Sequence, residues 1–387
     1  MEYYIAKTFA GLENELFKEL HALGAKNCEK LSRAVAFEGD LAMMYRANYF
    51  CRTALRILWR RKQFTFKSNR QFYEQIFDFP AEEVLSPDGT LAVHATIVDS
   101  IFNTPLYASV LAKDAVCDRF RDKFGRRPSV DKDYPDVQFH LHVYKDEAQL
   151  FLDSSGESLH KRGYRIHTAK APIAENLAAA LIMLTPWKGD RILVDPFCGC
   201  GTFPIEAALM AAGIAPGMNR NFTAMKWKHV IAEELWKDAK EEARENIDMS
   251  VDTDIQGYDI DPEMVKMSRE NAKLAGVEKL IHFQTRDAAA LSHPKKYGFL
   301  ISNPPYGERI GGDDDMNALY AMIGERYRAL DSWSMYIITS YADAEKAIGR
   351  KADKNRKLYN GMLKTYFLQY MGPKPPARKR TEDAGKE

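Results

Sequence analysis

From Arg191 onward, short apolar β-prone runs alternate with longer stretches of helical period, and this rhythm predicts an α/β fold built on a parallel sheet. Two loops strengthen that prediction. One, over residues 195–202, carries two glycines and leads from the first of these strands straight into a helix. The other, Asn303-Pro304-Pro305-Tyr306, ends a later strand. Both fall at carboxyl ends of strands, where open α/β sheets hold their ligands.

At 387 residues the chain exceeds one compact core, so two or three domains are expected. Hydrophobic content of 45% and charged content of 28% are those of an ordinary globular protein. A net charge of +1 carries no global nucleic-acid signal, so any basic surface must be local. No run approaches the length of a membrane span, and Met1-Glu2-Tyr3-Tyr4 lacks the basic and apolar character of a signal peptide. A cytoplasmic chain with no membrane partner is expected. The five cysteines form no C-x-x-C pair, so neither a metal site nor a disulfide framework is expected, and the thiols should stay reduced.

The front half reads as α+β. Residues 3–8 alternate as a strand, and Leu12, Leu16, Leu20 and Leu23 give the helical spacing of a segment that Gly24 ends. A strand over 33–37 and a helix over 41–50 follow. Between Arg52 and Arg70 the chain carries only basic charge. Arg56, Arg60, Arg61 and Lys62, interleaved with Trp59, Phe64 and Phe66, form a candidate RNA-contacting run, with a solvated charged face as the alternative. The next unit has a strand over 90–98, a long helix over 104–124 and a hairpin over 137–152. His140 and His142 share one face of that hairpin and are expected on its polar side. A polar, basic connector over 154–168 adds Lys161, Arg162 and Arg165 to the RNA candidates.

In the rear half Pro172 opens a helix, and strands are expected over 191–195, 255–260, 281–285, 298–302 and 335–340. Helices should lie over 202–212, 232–249, 262–275 and 317–330. Two late β-like runs, 356–359 and 363–370, lack a helix between them and should form an antiparallel hairpin at the sheet edge, making seven strands. Pro373 to Glu387 has almost nothing to bury and is expected to be a disordered tail.

The strand-end loops suggest chemistry. In Asp195-Pro196-Phe197-Cys198-Gly199-Cys200-Gly201-Thr202, Gly199 and Gly201 permit close backbone approach, and the helix start offers free N–H donors. The loop is neither a G-x-G-x-x-G nor a P-loop. Asp259 ends the second strand, followed by Ile260, and is placed to accept two ribose hydroxyls. Asp287, followed by Ala288, ends the third and can meet an adenine amino group. Each acid alone is more commonly a helix cap, but their order along successive strand ends favours an adenosyl ligand. At the fourth strand, the Asn303 oxygen and the Pro304 carbonyl can each accept one N–H of a planar exocyclic amine, localising its lone pair for attack. Pro305 stiffens the turn and Tyr306 offers a stacking face. An ordinary strand-ending turn is the competing account.

With these residues in view, the chain resembles Rossmann-like class I S-adenosyl-L-methionine-dependent methyltransferases that act on amino groups. The loop 195–202 is similar to their Asp-Pro-x-Cys-Gly-Ser-Gly-Thr signature, with Cys200 in place of serine. Residues 162–165, 171–180 and 303–309 bring it closer to bacterial RNA guanine-N2-methyltransferases that carry a THUMP RNA-binding domain. The likeness is to the N-terminal half of the fused large-subunit (23S) rRNA enzyme. That resemblance implies a ferredoxin-like domain over 1–65, a THUMP domain over 66–155, a linker over 156–170 and a methyltransferase domain over 171–372. It also implies N2-methylation of one guanosine, with 23S rRNA or an assembling large subunit as the RNA partner. Asp195, Phe197, Cys198, Gly199, Gly201 and Thr202 would line the methionine end of the cofactor. Asp259 and Ile260 would meet the ribose, Asp287 and Ala288 the adenine, and Asn303 the methyl-transfer end. A tRNA guanine, a DNA adenine or a protein glutamine are the alternative targets.

Overall fold

A computed structural model describes residues 1–165, 172–227, 229–306, 313–361 and 363–376. The front half runs β1 (Glu2–Lys7), α1 (Glu13–Ala22), β2 (Lys26–Leu31), β3 (Ala34–Gly39), α2 (Leu41–Phe50) and β4 (Arg56–Thr65). It continues with α3 (Asn69–Phe77), β5 (Thr90–Val98), α4 (Pro105–Phe124), β6 (Ser129–Val130), β7 (Val137–Tyr144) and β8 (Glu147–Asp153). Local chemistry sets the helix ends. The Asp40 carboxylate accepts Met43 N–H to cap α2, and Thr104 caps α4 ahead of Pro105. Gly125, at φ +70°, ends α4 in the left-handed conformation that glycine tolerates best.

All eight strands join one sheet in the order β2-β3-β1-β4-β8-β7-β5-β6. The two segments that read as separate units are therefore joined through β4, which pairs with β1 on one side and β8 on the other. Strand β2 is absent from the sequence expectation because its Lys-Asn-Cys-Glu-Lys-Leu run is charged and mostly exposed, as suits an edge strand. Along β1 the pleat sends Tyr4 and Ala6 into a core with Leu16, Leu20 and Met44 of the helices, leaving Tyr3, Ile5 and Lys7 on the other face. Trp59, Phe64 and Phe66 are all buried in that core. They are packing residues, which removes the stacking role expected of them beside the basic run. Residues 174–184 and 209–251 cluster with this sheet.

The chain then passes through α5 (Glu175–Met183), β9 (Leu193–Asp195), α6 (Thr202–Ala211), α7 (Glu233–Glu245), β10 (Ile255–Asp259) and α8 (Pro262–Leu274). Next come β11 (Ile281–Thr285), β12 (Phe299–Ser302), α9 (Asp313–Ala329), β13 (Ser334–Thr339), α10 (Ala344–Ile348), β14 (Lys354–Asn360) and β15 (Leu363–Tyr370). Seven of these strands form the second sheet, ordered β11-β10-β9-β12-β13-β15-β14. The first five in that order run parallel, and β15 lies antiparallel to both β13 and β14. The expected hairpin is thus present, with its second strand inserted inward and its first left at the edge. Strand β9 has β10 on one side and β12 on the other, so the strand order reverses there, and a crevice opens beyond its carboxyl end. No helix among the described residues is long and apolar enough to cross a membrane. The tail expected from 373 onward lies mostly outside the described residues.

Candidate active site

The crevice at the end of β9 gathers the residues picked out by the strand-end loops. Asp195 is buried, and its Oδ1 accepts the Ser302 hydroxyl at 2.5 Å and Phe197 N–H at 3.1 Å. The first bond ties the tip of β9 to the tip of β12. Burial, reinforced by the nearby Asp259 charge, pushes the Asp195 carboxyl up to about 7, and neither neutral donor offsets this.

The glycine loop is held from two sides. Asp259 Oδ2 accepts Gly199 N–H at 2.9 Å while its Oδ1 accepts Asp261 N–H at 3.0 Å. From α8, Ser268 Oγ donates to Gly199 O at 2.6 Å and Asn271 Nδ2 to Cys200 O at 3.0 Å. Ser268 and Asn271 are fully buried and three residues apart, one turn of the same helix face. Sequence reading missed both, although polar residues on the buried side of an amphipathic helix are a usable signal. Gly201, at φ +85°, packs so closely on Ser268 and Phe283 that a Cβ would crowd them at 3.1–3.2 Å. Gly199 is different. Its φ is +52°, and a Cβ there would meet nothing within 4 Å. The loop thus presents bare backbone to open space, as a surface for a closely approaching ligand should. Cys198, Cys200 and Thr202 are buried beneath it, and Phe197 is half-buried.

Around the rim, Ile260 stands 68% exposed directly after Asp259, an apolar side chain with an open face. Asp287 accepts Ala289 N–H at 2.8 Å and so caps the short 3-10 turn Ala288–Ala290, the local role weighed for it from sequence. Its neighbour Ala288 is buried.

Beyond β12, Asn303 is half-buried and its Oδ1 is sealed from solvent with no hydrogen-bond donor among the described residues. A buried acceptor without a donor is costly in a folded chain and calls for an explanation. Pro304 is buried and Pro305 half-buried. Tyr306 is 4% exposed and packs in a cluster with Met316, Tyr320 and Ile323. It anchors the loop to the core and does not stand open as a stacking platform. Residues 307–309 and 171, part of the motifs noted above, lie outside the described residues.

The expected RNA contacts divide. Arg56 pairs with fully buried Asp153. Arg162 is buried and donates to Leu159 O at 2.6 Å and Arg52 O at 2.5 Å. Arg165 meets buried Glu175 at 3.0 Å. These three guanidiniums brace the fold, and their charge is already engaged, which corrects their assignment to an RNA surface. Lys62 donates to Gln75 O at 2.6 Å and Arg61 pairs with Glu83 at 3.0 Å. Arg60 lies over the Tyr3 ring, and exposed Lys161 pairs with Glu157.

A seven-stranded sheet of this order, with a glycine loop after its first strand and an Asn-Pro-Pro-Tyr turn after its fourth, defines a class I methyltransferase. More specifically, the chain belongs to the RMKL-like methyltransferase-domain family, whose model matches residues 162–369. A THUMP domain matches over 66–153, and the ferredoxin-like domain named for RlmL matches over 3–58. The chain is 37% identical to the putative RNA methyltransferase YpsC of Bacillus subtilis, covering 98% of both. It is 38% identical over 95% of its length to the ribosomal RNA large subunit methyltransferase K/L of Syntrophotalea carbinolica, spanning about half (53%) of that longer protein. A putative methyltransferase solved in complex with SAH superposes with a TM-score of 0.87 at 35% identity, covering 97% of this chain and 99% of that one.

Proposed function

We propose that this chain is an S-adenosylmethionine-dependent RNA methyltransferase that methylates the exocyclic N2 of one guanosine, in 23S rRNA. The observation that carries the reading is the buried Oδ1 of Asn303 at the end of β12, which has no donor among the described residues. It is an acceptor waiting for an N–H, beside a crevice whose other walls suit an adenosyl ligand.

The residues present fit that cofactor. The open space over Gly199 admits it, the Asp259 carboxylate retains lone pairs for ribose hydroxyls, and Ile260 and Ala288 offer apolar surface for a purine. The bound cofactor supplies a methyl group activated on a positively charged sulfur. The chain's own residues position what attacks it. Asn303 Oδ1 and the Pro304 carbonyl each take one N–H of the guanine amine, turning its lone pair toward the methyl and holding it in line. The Ser302–Asp195 bond fixes the strand end from which Asn303 projects. Tyr306, locked in its cluster, keeps the two prolines in place. Choice of RNA is supported by the THUMP match, and choice of large-subunit rRNA by the K/L relative.

The test is nucleoside mass spectrometry of 23S rRNA and tRNA from cells with and without the gene. Loss of one N2-methylguanosine from 23S rRNA is expected. Loss from tRNA alone would overturn the substrate and keep the chemistry, and no change in either would overturn both.

A further inference from the structure

On the front sheet, every second residue of β1 points away from the helices, as do Leu58 on its partner β4 and Phe151 on β8, the strand that pairs with β4 in turn. They line a pocket of about 690 Å³ on that face, floored by Ile5, Leu58 and Phe151 and edged by Tyr3, Lys7 and Arg33. None of its lining residues is acidic. The Arg60 guanidinium lies 3.7 Å over the Tyr3 ring at its border. The carboxylate that acts on Lys7 is that of Asp153, which is fully buried and already paired with Arg56, while Glu38, the β3 partner of Tyr3, and Glu29 lie near the Tyr3 ring. We propose that this helix-free face of the sheet is the docking surface for a single-stranded RNA segment, with phosphates at Lys7, Arg33 and Arg60 and bases on the apolar floor. The inference rests on the reading of the chain as an RNA methyltransferase and names where in the front half the RNA is held.

The chemistry selects that occupant. A purely apolar partner would leave a half-buried ammonium unpaired, and a cationic partner would be repelled by it. Burial, together with the neighbouring Arg56, disfavours the charged form of Lys7, and an arriving phosphate would relieve this. Bases stack on aromatic and guanidinium planes without regard to sequence, and the Tyr3–Arg60 pair and Phe151 supply such planes. A duplex exposes only its backbone and groove edges and could not lay bases on a flat floor.

The test is fluorescence anisotropy with the full-length protein and a labelled single-stranded RNA of roughly 12 nucleotides, within the usual range of site sizes. The variants are Arg33→Glu and Thr96→Glu, both at exposed positions in the pocket lining, so the fold should survive either. Each is expected to weaken binding about tenfold, and Arg33→Glu should lower the salt slope by about 0.7, because one phosphate fewer is neutralised. Melting temperature and SAH affinity should stay unchanged. Wild-type affinity in both variants, or equal affinity for a duplex of the same length, would overturn this surface and leave the proposed function standing. Failure of the wild type to bind any RNA would instead overturn the function reading along with it.

Discussion

Asp153 in the front sheet and Asp195 in the rear sheet are buried to the same degree. Burial pushes both carboxyls up. At Asp153, His140 at 3.5 Å and the paired Arg56 outweigh burial and hold the group below the usual carboxylate range. At Asp195 the neighbours are a hydroxyl and an amide, and the group rises to about 7. Identical residues at identical depth thus serve opposite ends. The front unit pairs its charges within itself, the buried Asp153 with Arg56 and the more exposed Arg119–Glu82 and Arg46–Glu242 alike. At its strand ends the rear unit keeps Asn303 Oδ1 buried with no donor among the described residues, and a carboxyl, that of Asp195, that burial pushes up.

The sharpest way to break this contrast is Asn303→Ala. Removing the acceptor proposed for the substrate amine should lower the methyl-transfer rate by about 10²–10³-fold, as loss of one preorganised catalytic hydrogen bond does. SAH affinity and melting temperature should hardly move, and full turnover in single-turnover assays would sink the assignment. In the front unit the damage should go to stability. Arg56→Ala strands a buried carboxylate and should cost about 3 kcal/mol in urea melts, leaving SAH affinity intact. A loss under 1 kcal/mol would mean that Asp153 is not held by its cation.

Acidity separates the two aspartates next. The raised folded-state value of Asp195 means that its contribution to stability is fully present below about pH 4 and is lost as pH climbs to about 7. Asp195→Asn, measured against wild type between pH 5 and 7, should therefore gain up to about 1.4 kcal/mol per pH unit. A flat difference would show that the carboxyl ionises normally. The smallest effect is expected at Cys200→Ser, which restores the residue usual in this loop. The buried thiol lies 3.5 Å from the Thr202 hydroxyl, a contact that a serine can also make. Stability should change by less than about 1 kcal/mol, and a large loss of SAH affinity would expose a role for sulfur.

The strand-end loops were legible because each is a short local word: glycines at a turn, an acid at a strand tip, two prolines in succession. Some element limits were legible for the same reason: the expected and observed spans of α2, β5, β11 and β15 coincide, whereas α9 starts four residues before its expected limit and α7 ends four residues before its own. Partnerships across the chain were not. Nothing near Arg162 announces that its guanidinium will serve the carbonyl of Arg52, 110 residues earlier, so a cation read as an RNA contact became a brace. Trp59, Phe64 and Phe66 misled likewise, since the bulge in the β4–β8 pairing between Arg60 and Lys62 resets which side chains face the core. Tyr306 looked like an open ring because its cluster partners Met316, Tyr320 and Ile323 lie beyond the loop, on α9.

The continuous front sheet bears on descent as well as on folding. Two domain families meet along β4, a ten-residue strand with backbone partners on both sides. A chain divided between them would bare two long strand edges, each a template for aggregation. Neither module can therefore be shuffled, lost or replaced alone without a new partner strand to cover the seam. The pair should travel through evolution as one heritable piece, whatever catalytic domain follows it.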